Sequence, residues 1–278
     1  MMKTVHRVKS GNFSQRLFLL SLLVKRNIKN KYYRSVIGIL WSVLNPLLNT
    51  LVMYLVFSVL FTNSSDMEGL PYILYILSGN IVFGLMTEAT NGSISSIVGQ
   101  SGLLLSTPVP MEIFPLSKAF TALVSFLFSS IALLAVMIIC CFTGAVRYEF
   151  HWQLILIITI LPAELIFSIG ISFFLSTLYV FFRDTQYIYS VFSTLWRFLT
   201  PIFYSVSRFD SGSAYYNLVM KVVEYNPMYQ YLTAFRQMMT GVIPDAKAYL
   251  MMYGFAFISL AIGWIFMHAL KNRISSQL

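Results

Sequence analysis

The stretch "KRNIKNKYYRSVIGILWSVLNPLL", residues 25–48, decides the class of this chain. Five of its first ten residues, Lys25, Arg26, Lys29, Lys31 and Arg34, are basic, and none of the rest is charged. A dense positive cluster against an apolar run holding Trp41, Asn45 and Pro46 can mark a nucleic-acid site, a targeting signal or a membrane surface. Composition separates these. Of 278 residues, 58% are hydrophobic and 10% charged, against about 25% charged in a soluble domain, and the mean hydropathy is +0.74. The chain reads as an integral membrane protein with no room for a soluble catalytic domain, so any source of chemical energy lies in another chain.

Working outward, intervals nearly free of Asp, Glu, Lys and Arg are compared with the roughly 20 residues needed to span hydrocarbon. They predict an all-α protein with six transmembrane helices, at 37–61, 70–87, 119–143, 152–182, 186–205 and 248–270. The fourth is longer than a bilayer requires and contains Pro162, which predicts a tilt or kink. An acidic loop with Asp66 and Glu68 joins the first two spans. Residues 92–116 begin as a short helix and are then broken by Pro108, Pro110 and Pro115. Residues 207–247 form a Tyr-rich loop on the opposite side. With neither an internal repeat nor a linker, residues 1–278 read as one membrane domain. Nine Lys and Arg precede Ile37, and Lys118, Arg183, Lys271 and Arg273 raise that side to thirteen; the other side has Arg147, Arg208, Lys221, Arg236 and Lys247. The excess places both termini in the cytoplasm.

The basic stretch then has a place. Residues 14–34 put Leu17, Leu20, Val24 and Ile28 at helical spacing, with Arg26 opposite and Lys25 and Lys29 beside the stripe. Such a helix lies in the membrane interface with its cations at anionic headgroups. A secretory signal is disfavoured because no small-residue cleavage site follows. Nucleic acid is disfavoured because Tyr32 and Tyr33 sit where interfacial aromatic belts occur. A purely topological anchor is the plainer alternative.

Catalytic and cofactor chemistry is not suggested. There is no G-x-x-x-x-G-K-[ST] loop, His6, His151 and His268 are scattered, and the adjacent Cys140 and Cys141 lack metal-ligand spacing. No nucleotide, cofactor or metal is expected in this chain, and a membrane-embedded glycosyl- or acyltransferase is disfavoured. Only Glu164 and Arg197 lie deep in spans, fewer than an ion-coupled carrier needs. The two can pair across the hairpin or be solvated separately. Ser168, Ser172 and Ser176, like Ser125 and Ser129, recur every four residues and suit close helix packing. Aromatic residues on spans one and five, with Asn45 ahead of the helix-breaking Pro46, suit either interfacial belts or the wall of a polar conduit.

Five segments in order, "RNIKNKYYRSVIGILWSVLNPLL" (26–48), "GLLLSTPVPMEIFPLSK" (102–118), "FRDTQ" (182–186), "PIFY" (201–204) and "YNPMYQYLTAFRQMMTG" (225–241), carry a resemblance over nearly the whole chain. The chain resembles the ABC transporter type-2 permeases that export polysaccharides, O-antigens or teichoic acids on a lipid carrier. The resemblance implies a homodimer in the bacterial plasma membrane, joined by two copies of a cytoplasmic ATPase that binds ATP and Mg. The substrate would be a lipid-linked glycan, met among membrane lipids. It implies that the N-terminal interface helix, with Lys25, Arg26, Lys29 and Arg34, lies beside the ATPase. Segment 92–116, with Ser95, Ser96, Leu103, Leu104 and Glu112, and the Arg183-Asp184 turn would complete the coupling surface. Trp41, Asn45, Tyr54, Tyr187, Trp196, Arg197 and Tyr204 would line a channel. The loop with Asn226, Pro227 and Arg236 would fold back as short re-entrant helices at the outer face. The chain departs from the pattern at "LLLSTPVP", where family members often carry basic residues. A type-2 permease for a drug or lipid is the alternative cargo reading.

Overall fold

A computed structural model describes residues 13–33, 38–60, 66–67, 69–106, 109–143, 149–206 and 216–277. Among residues named above, His6, Arg34, Ile37, Glu68, Pro108, Arg147 and Arg208 lie outside the described residues. The described chain is mostly helical. In order it forms α1 (Phe13–Tyr32), α2 (Leu40–Leu60), a short hairpin of β1 (Asp66–Met67) and β2 (Leu70–Pro71), and α3 (Tyr72–Ile94). Then come α4 (Ser101–Ser106), α5 (Ile113–Thr143), α6 (Ile160–Phe181), α7 (Thr185–Leu199), α8 (Tyr216–Glu224), α9 (Pro227–Met239) and α10 (Ala246–Gln277). The hairpin, which turns at Gly69 with φ +79°, is an addition to the all-α expectation.

Among the described residues, five helical segments are long and apolar enough to cross a membrane: Leu40–Phe57, Tyr72–Ile94, Ile113–Phe142, Trp152–Phe181 and Ala246–Ile274. The chain is a multi-pass membrane protein. The fifth expected span, 186–205, appears as the 15-residue α7, about 22 Å long at 1.5 Å per residue. Spans two and three were expected to stop at Thr87 and start at Ala119. Instead α3 runs to Ile94 and α5 starts at Ile113, because Glu88 and Lys118, which bounded the charge-free intervals, face polar partners without interrupting their helices. The fourth span opens as a 3-10 helix, Trp152–Thr159, and Pro162 is the third residue of the α-helix that follows. There a backbone N–H has no intrahelical partner to lose.

α3 sits at the centre, packed against α2, α5, α6, α7 and α9 and buried at most of its positions. Its neighbour α6 pairs closely with α10. A Cβ on Gly170 would overlap the backbone of Ser259 and Leu260, and one on Gly263 would overlap the Gly170 carbonyl, so glycine is what lets the two axes approach. The Ser259 hydroxyl donates to the Phe167 carbonyl across this crossing, at 2.9 Å. Ser168, Ser172 and Ser176 are fully buried, and their hydroxyls donate to the Glu164, Ala89 and Phe173 carbonyls. Of these three bonds the Ser172 one crosses to α3 and the other two return to the backbone of α6 itself; the full burial of all three is what the small-residue stripe leads one to expect.

Two backbone breaks are repaired by side chains. Pro46 within α2 cannot donate to the Ser42 carbonyl one turn back; the Ser129 hydroxyl of α5 donates to it instead, at 3.0 Å. After α7 the chain leaves helix at Thr200-Pro201. Non-helical backbone in an apolar layer is tolerated only where its polar groups are met. Arg236 of α9 meets them: Nη1 donates to the Pro201 carbonyl at 2.8 Å, and Nη2 to the Tyr75 and Ile202 carbonyls at 2.9 and 3.3 Å. Its guanidinium lies over the Tyr75 ring, 3.4 Å from the centroid. The Tyr72 and Tyr75 hydroxyls donate to the Phe203 and Tyr204 carbonyls. Asn226 caps α9 by accepting from the Met228 N–H, with Pro227 at the first helical position.

Candidate functional site

A cavity of about 720 Å³ opens between α2, α3 and α5, closed at one end by the last turn of α1 and at the side by Arg197 of α7. Its lining is unusually polar for this apolar chain. α3 contributes Asn80, Gly84, Thr87, Glu88 and Asn91, α2 contributes Ser42, Asn45 and Asn49, and α5 contributes Ser125 and Ser129. The α3 residues follow one another by four, three, one and three, which keeps them on one face. Ser125 and Ser129, expected to serve helix packing, thus also line the cavity.

The cavity has a charged end. Lys31 and Glu88 form an ion pair at 2.5 Å. The Lys31 ammonium also donates to the Ser125 hydroxyl, which in turn donates to Glu88, both at 2.8 Å. Both charged side chains remain more than a third exposed, so this network contributes little to stability. Tyr32 joins it through hydrogen-bond contact of its hydroxyl with those of Ser42 and Ser125. Elsewhere in the cleft the Arg197 Nη2 donates to Asn80 Oδ1 at 2.7 Å, while the Asn80 amide donates to the Thr50 hydroxyl at 3.1 Å.

The comparisons with known proteins agree on a lineage. The family model for ABC-2 type transporters matches residues 19–240. The chain belongs to the ABC-2 type transporter family. Three relatives extend the match beyond that region. The O-antigen export system permease protein RfbA of Myxococcus xanthus is 28% identical over 257 residues, 92% of each chain. Two proteins of the same name from Klebsiella pneumoniae are 25% and 23% identical, each match covering 94% of this chain and 95% of the relative.

Against that family frame, the expected lining residues divide. Trp41, Asn45 and Arg197 line the cavity. Trp196 turns inward: its indole donates to Asn226 Oδ1 at 2.8 Å, and its ring meets Phe83 and Phe167 edge-on. Tyr187 projects from the exposed face of α7, Tyr54 lies beside Tyr72, and the Tyr204 hydroxyl donates to the Phe198 carbonyl. Of the open alternatives for the two deep charges, the geometry selects separate environments. Arg197 bonds Asn80, whereas Glu164 is fully buried with neither oxygen hydrogen-bonded among the described residues.

The expected coupling residues also fall into groups. Lys25, Arg26, Lys29, Ser95, Arg183 and Asp184 are exposed, with Lys29 and Arg183 resting over the Tyr33 and Tyr179 rings. Leu103 is exposed, whereas Leu104 packs back on the core with Leu23, Ile113 and Phe114. Ser96 is buried. Glu112 bonds His268 of α10 at 3.2 Å, tying the connector to the last helix, and Trp264 stacks on that imidazole at 4.1 Å. The α3 face and Lys31 were missed by the sequence reading. Their signal was present as Asn80-Gly84-Thr87-Glu88-Asn91 spacing, hidden by ending the span at its first carboxylate.

Proposed function

We infer that this chain is the permease subunit of an ATP-driven exporter that moves a lipid-linked polysaccharide out of a bacterial cytoplasm. The observation that carries the cargo class is the cleft: amides and hydroxyls of Ser42, Asn45, Asn49, Asn80 and Asn91 with the Trp41 ring offer a hydroxyl-rich chain hydrogen bonds and a stacking face. The O-antigen export names of relatives matching over nine-tenths of the chain favour the same cargo. Teichoic-acid-like polymers fit the same chemistry.

In this reading two copies pair so that their clefts face one conduit, and each copy engages one cytoplasmic ATPase carrying ATP and Mg. The exposed apolar faces of α2 and α7, with Leu48, Leu51, Val52, Tyr187, Val191 and Leu195, supply surface for that pairing and for lipid. α7 with residues 200–206 makes the sixth crossing. Both termini are then cytoplasmic in the inner membrane, and α8 and α9 form re-entrant helices at the outer face. Lys25, Arg26, Lys29 and the 95–106 segment lie beside the ATPase.

Deleting the gene should abolish surface polymer and leave lipid-linked polymer in the inner membrane, restored by the wild-type gene. Surface polymer persisting after deletion overturns the proposal. Loss of drug or lipid efflux with normal surface polymer would assign the smaller cargo instead.

A further inference from the structure

A second, smaller cavity adjoins the charged end of the cleft at Gly92, where α1, the end of α3, the start of the 95–106 connector and the first turns of α5 meet. Its volume is about 130 Å³, below the ~300–1,000 Å³ of ordinary small-molecule pockets and suited to a single small group. Its polar lining comes from Arg26, Asn27, Ser96, Gln100, Ser117 and Lys118. Two cations face this space and no carboxylate lines it. Glu88, which with Lys118 lines the adjoining space, is engaged by Lys31.

The cavity's donors are fixed but not all used. The Lys118 ammonium donates to Asn27 Oδ1 at 3.1 Å, and the Asn27 amide donates to the Ser117 hydroxyl at 3.2 Å. This holds the ammonium in place with further N–H groups to offer. Ser96 is only 5% exposed, and its hydroxyl has no hydrogen-bond partner among the described residues. A buried hydroxyl left without a partner is destabilising unless something else bonds it. Two cations, a spare buried donor and a small volume are complementary to one tetrahedral anion.

We propose that the cavity among Arg26, Ser96 and Lys118 binds a phosphate group, supplied either by an anionic phospholipid headgroup or by free phosphate. Bound there, the phosphate bridges α1 to α5 and the connector, fixing the interface helix against the segment that follows α3. The site touches the polar cleft at Gly92, but its chemistry does not depend on the cargo.

The test uses the full chain in nanodiscs, with thermal unfolding as the readout. Inorganic phosphate is titrated into discs of phosphatidylcholine alone, and separately the discs are made with about 30% phosphatidylglycerol. Binding predicts a saturable rise in unfolding temperature in one arm. Arg26→Gln, Lys118→Gln and Ser96→Ala should each weaken it, the two charge variants by about tenfold or more, the loss of one charge-assisted hydrogen bond. Arg16→Gln, an exposed change on the same helix, should not. A rise with inorganic phosphate identifies a soluble phosphate site; a rise with phosphatidylglycerol alone identifies a headgroup site. No rise in either arm, or a rise that Arg26→Gln leaves unchanged, overturns the proposal. Because Arg26 is exposed, its variant keeps the test valid even if Lys118→Gln fails to fold.

Discussion

Replacing Arg236 by Met should remove most of the stability of the segment that follows α7. The side chain is 4% exposed and makes two short bonds, to the Pro201 and Tyr75 carbonyls at 2.8 and 2.9 Å, with a longer one to Ile202. A hydrogen bond from a charged donor contributes about 1.5–3 kcal/mol net of the water it replaces, so the two short bonds contribute about 3–6 kcal/mol. Stacking on Tyr75 adds up to about 2 kcal/mol at a desolvated site. Replacing a buried charge by an apolar residue can be neutral when its partner is replaced too. Here the partners are backbone carbonyls, which no substitution removes; methionine strips them of a charged donor and leaves neutral ones, the Tyr75 hydroxyl at 3.3 Å on Pro201 and the Ser78 hydroxyl at 3.0 Å on Tyr75. The expected loss is therefore at least about 3 kcal/mol, read as lowered thermal stability of the purified protein and early proteolysis near residues 200–206. Arg236→Lys should recover part of it, because an ammonium can reach one carbonyl but lacks the fork that spans two. A loss below about 1 kcal/mol for Arg236→Met would refute the claim that this guanidinium holds the break together.

Three further perturbations test other parts of the fold. Gly170→Ala should cost at least the ~1–3 kcal/mol of ordinary overpacking, because its Cβ meets the backbone of Ser259 and Leu260; unaltered unfolding temperature would contradict the close α6–α10 crossing. Ser129→Ala should destabilise the wild type by about 1 kcal/mol yet be nearly neutral beside Pro46→Ala, which restores an N–H to the Ser42 carbonyl; additive losses in unfolding measurements would show that the two residues do not share that carbonyl. Glu164→Gln and Arg197→Gln should combine additively within about 0.5 kcal/mol in a transport assay, since they share no partner; strong coupling would restore the pairing that the geometry sets aside.

What could be read from the sequence follows the kind of signal each feature leaves. Long apolar intervals are additive along the chain, so the membrane class was legible, and the expected spans 37–61, 152–182 and 248–270 lie within about one helical turn of the apolar segments Leu40–Phe57, Trp152–Phe181 and Ala246–Ile274. The ends of α3 and α5 were not, because a charge in a helix marks a boundary only when water is its best partner, and Glu88 has Lys31 and Ser125. Where the helix ends within the expected span 186–205 was not legible either, because Thr200-Pro201 leaves the composition apolar while ending α7. The cleft was half legible. Asn45-Pro46 announced a disturbed first span, but which helix answered it depended on Ser129, 83 residues further on. Aromatic residues were the least legible: a ring's type does not reveal whether it lines the polar cavity, as Trp41 does, or packs between helices, as Trp196 does.

The crossing at Gly170 and Gly263 has a mechanical consequence. Helices in backbone contact cannot slide or separate without opening a void, so α6 and α10 must travel as one body through any transport cycle. The first span is attached differently. α2 is held to its neighbours partly by polar bonds, Ser129 to Ser42 and Asn80 to Thr50, and such bonds can be traded for bonds to water at little net cost. A push arriving through α1 would therefore be resisted by the α6–α10 block and yielded to by α2, which makes the proline-broken helix the moving wall and the glycine crossing its fixed frame.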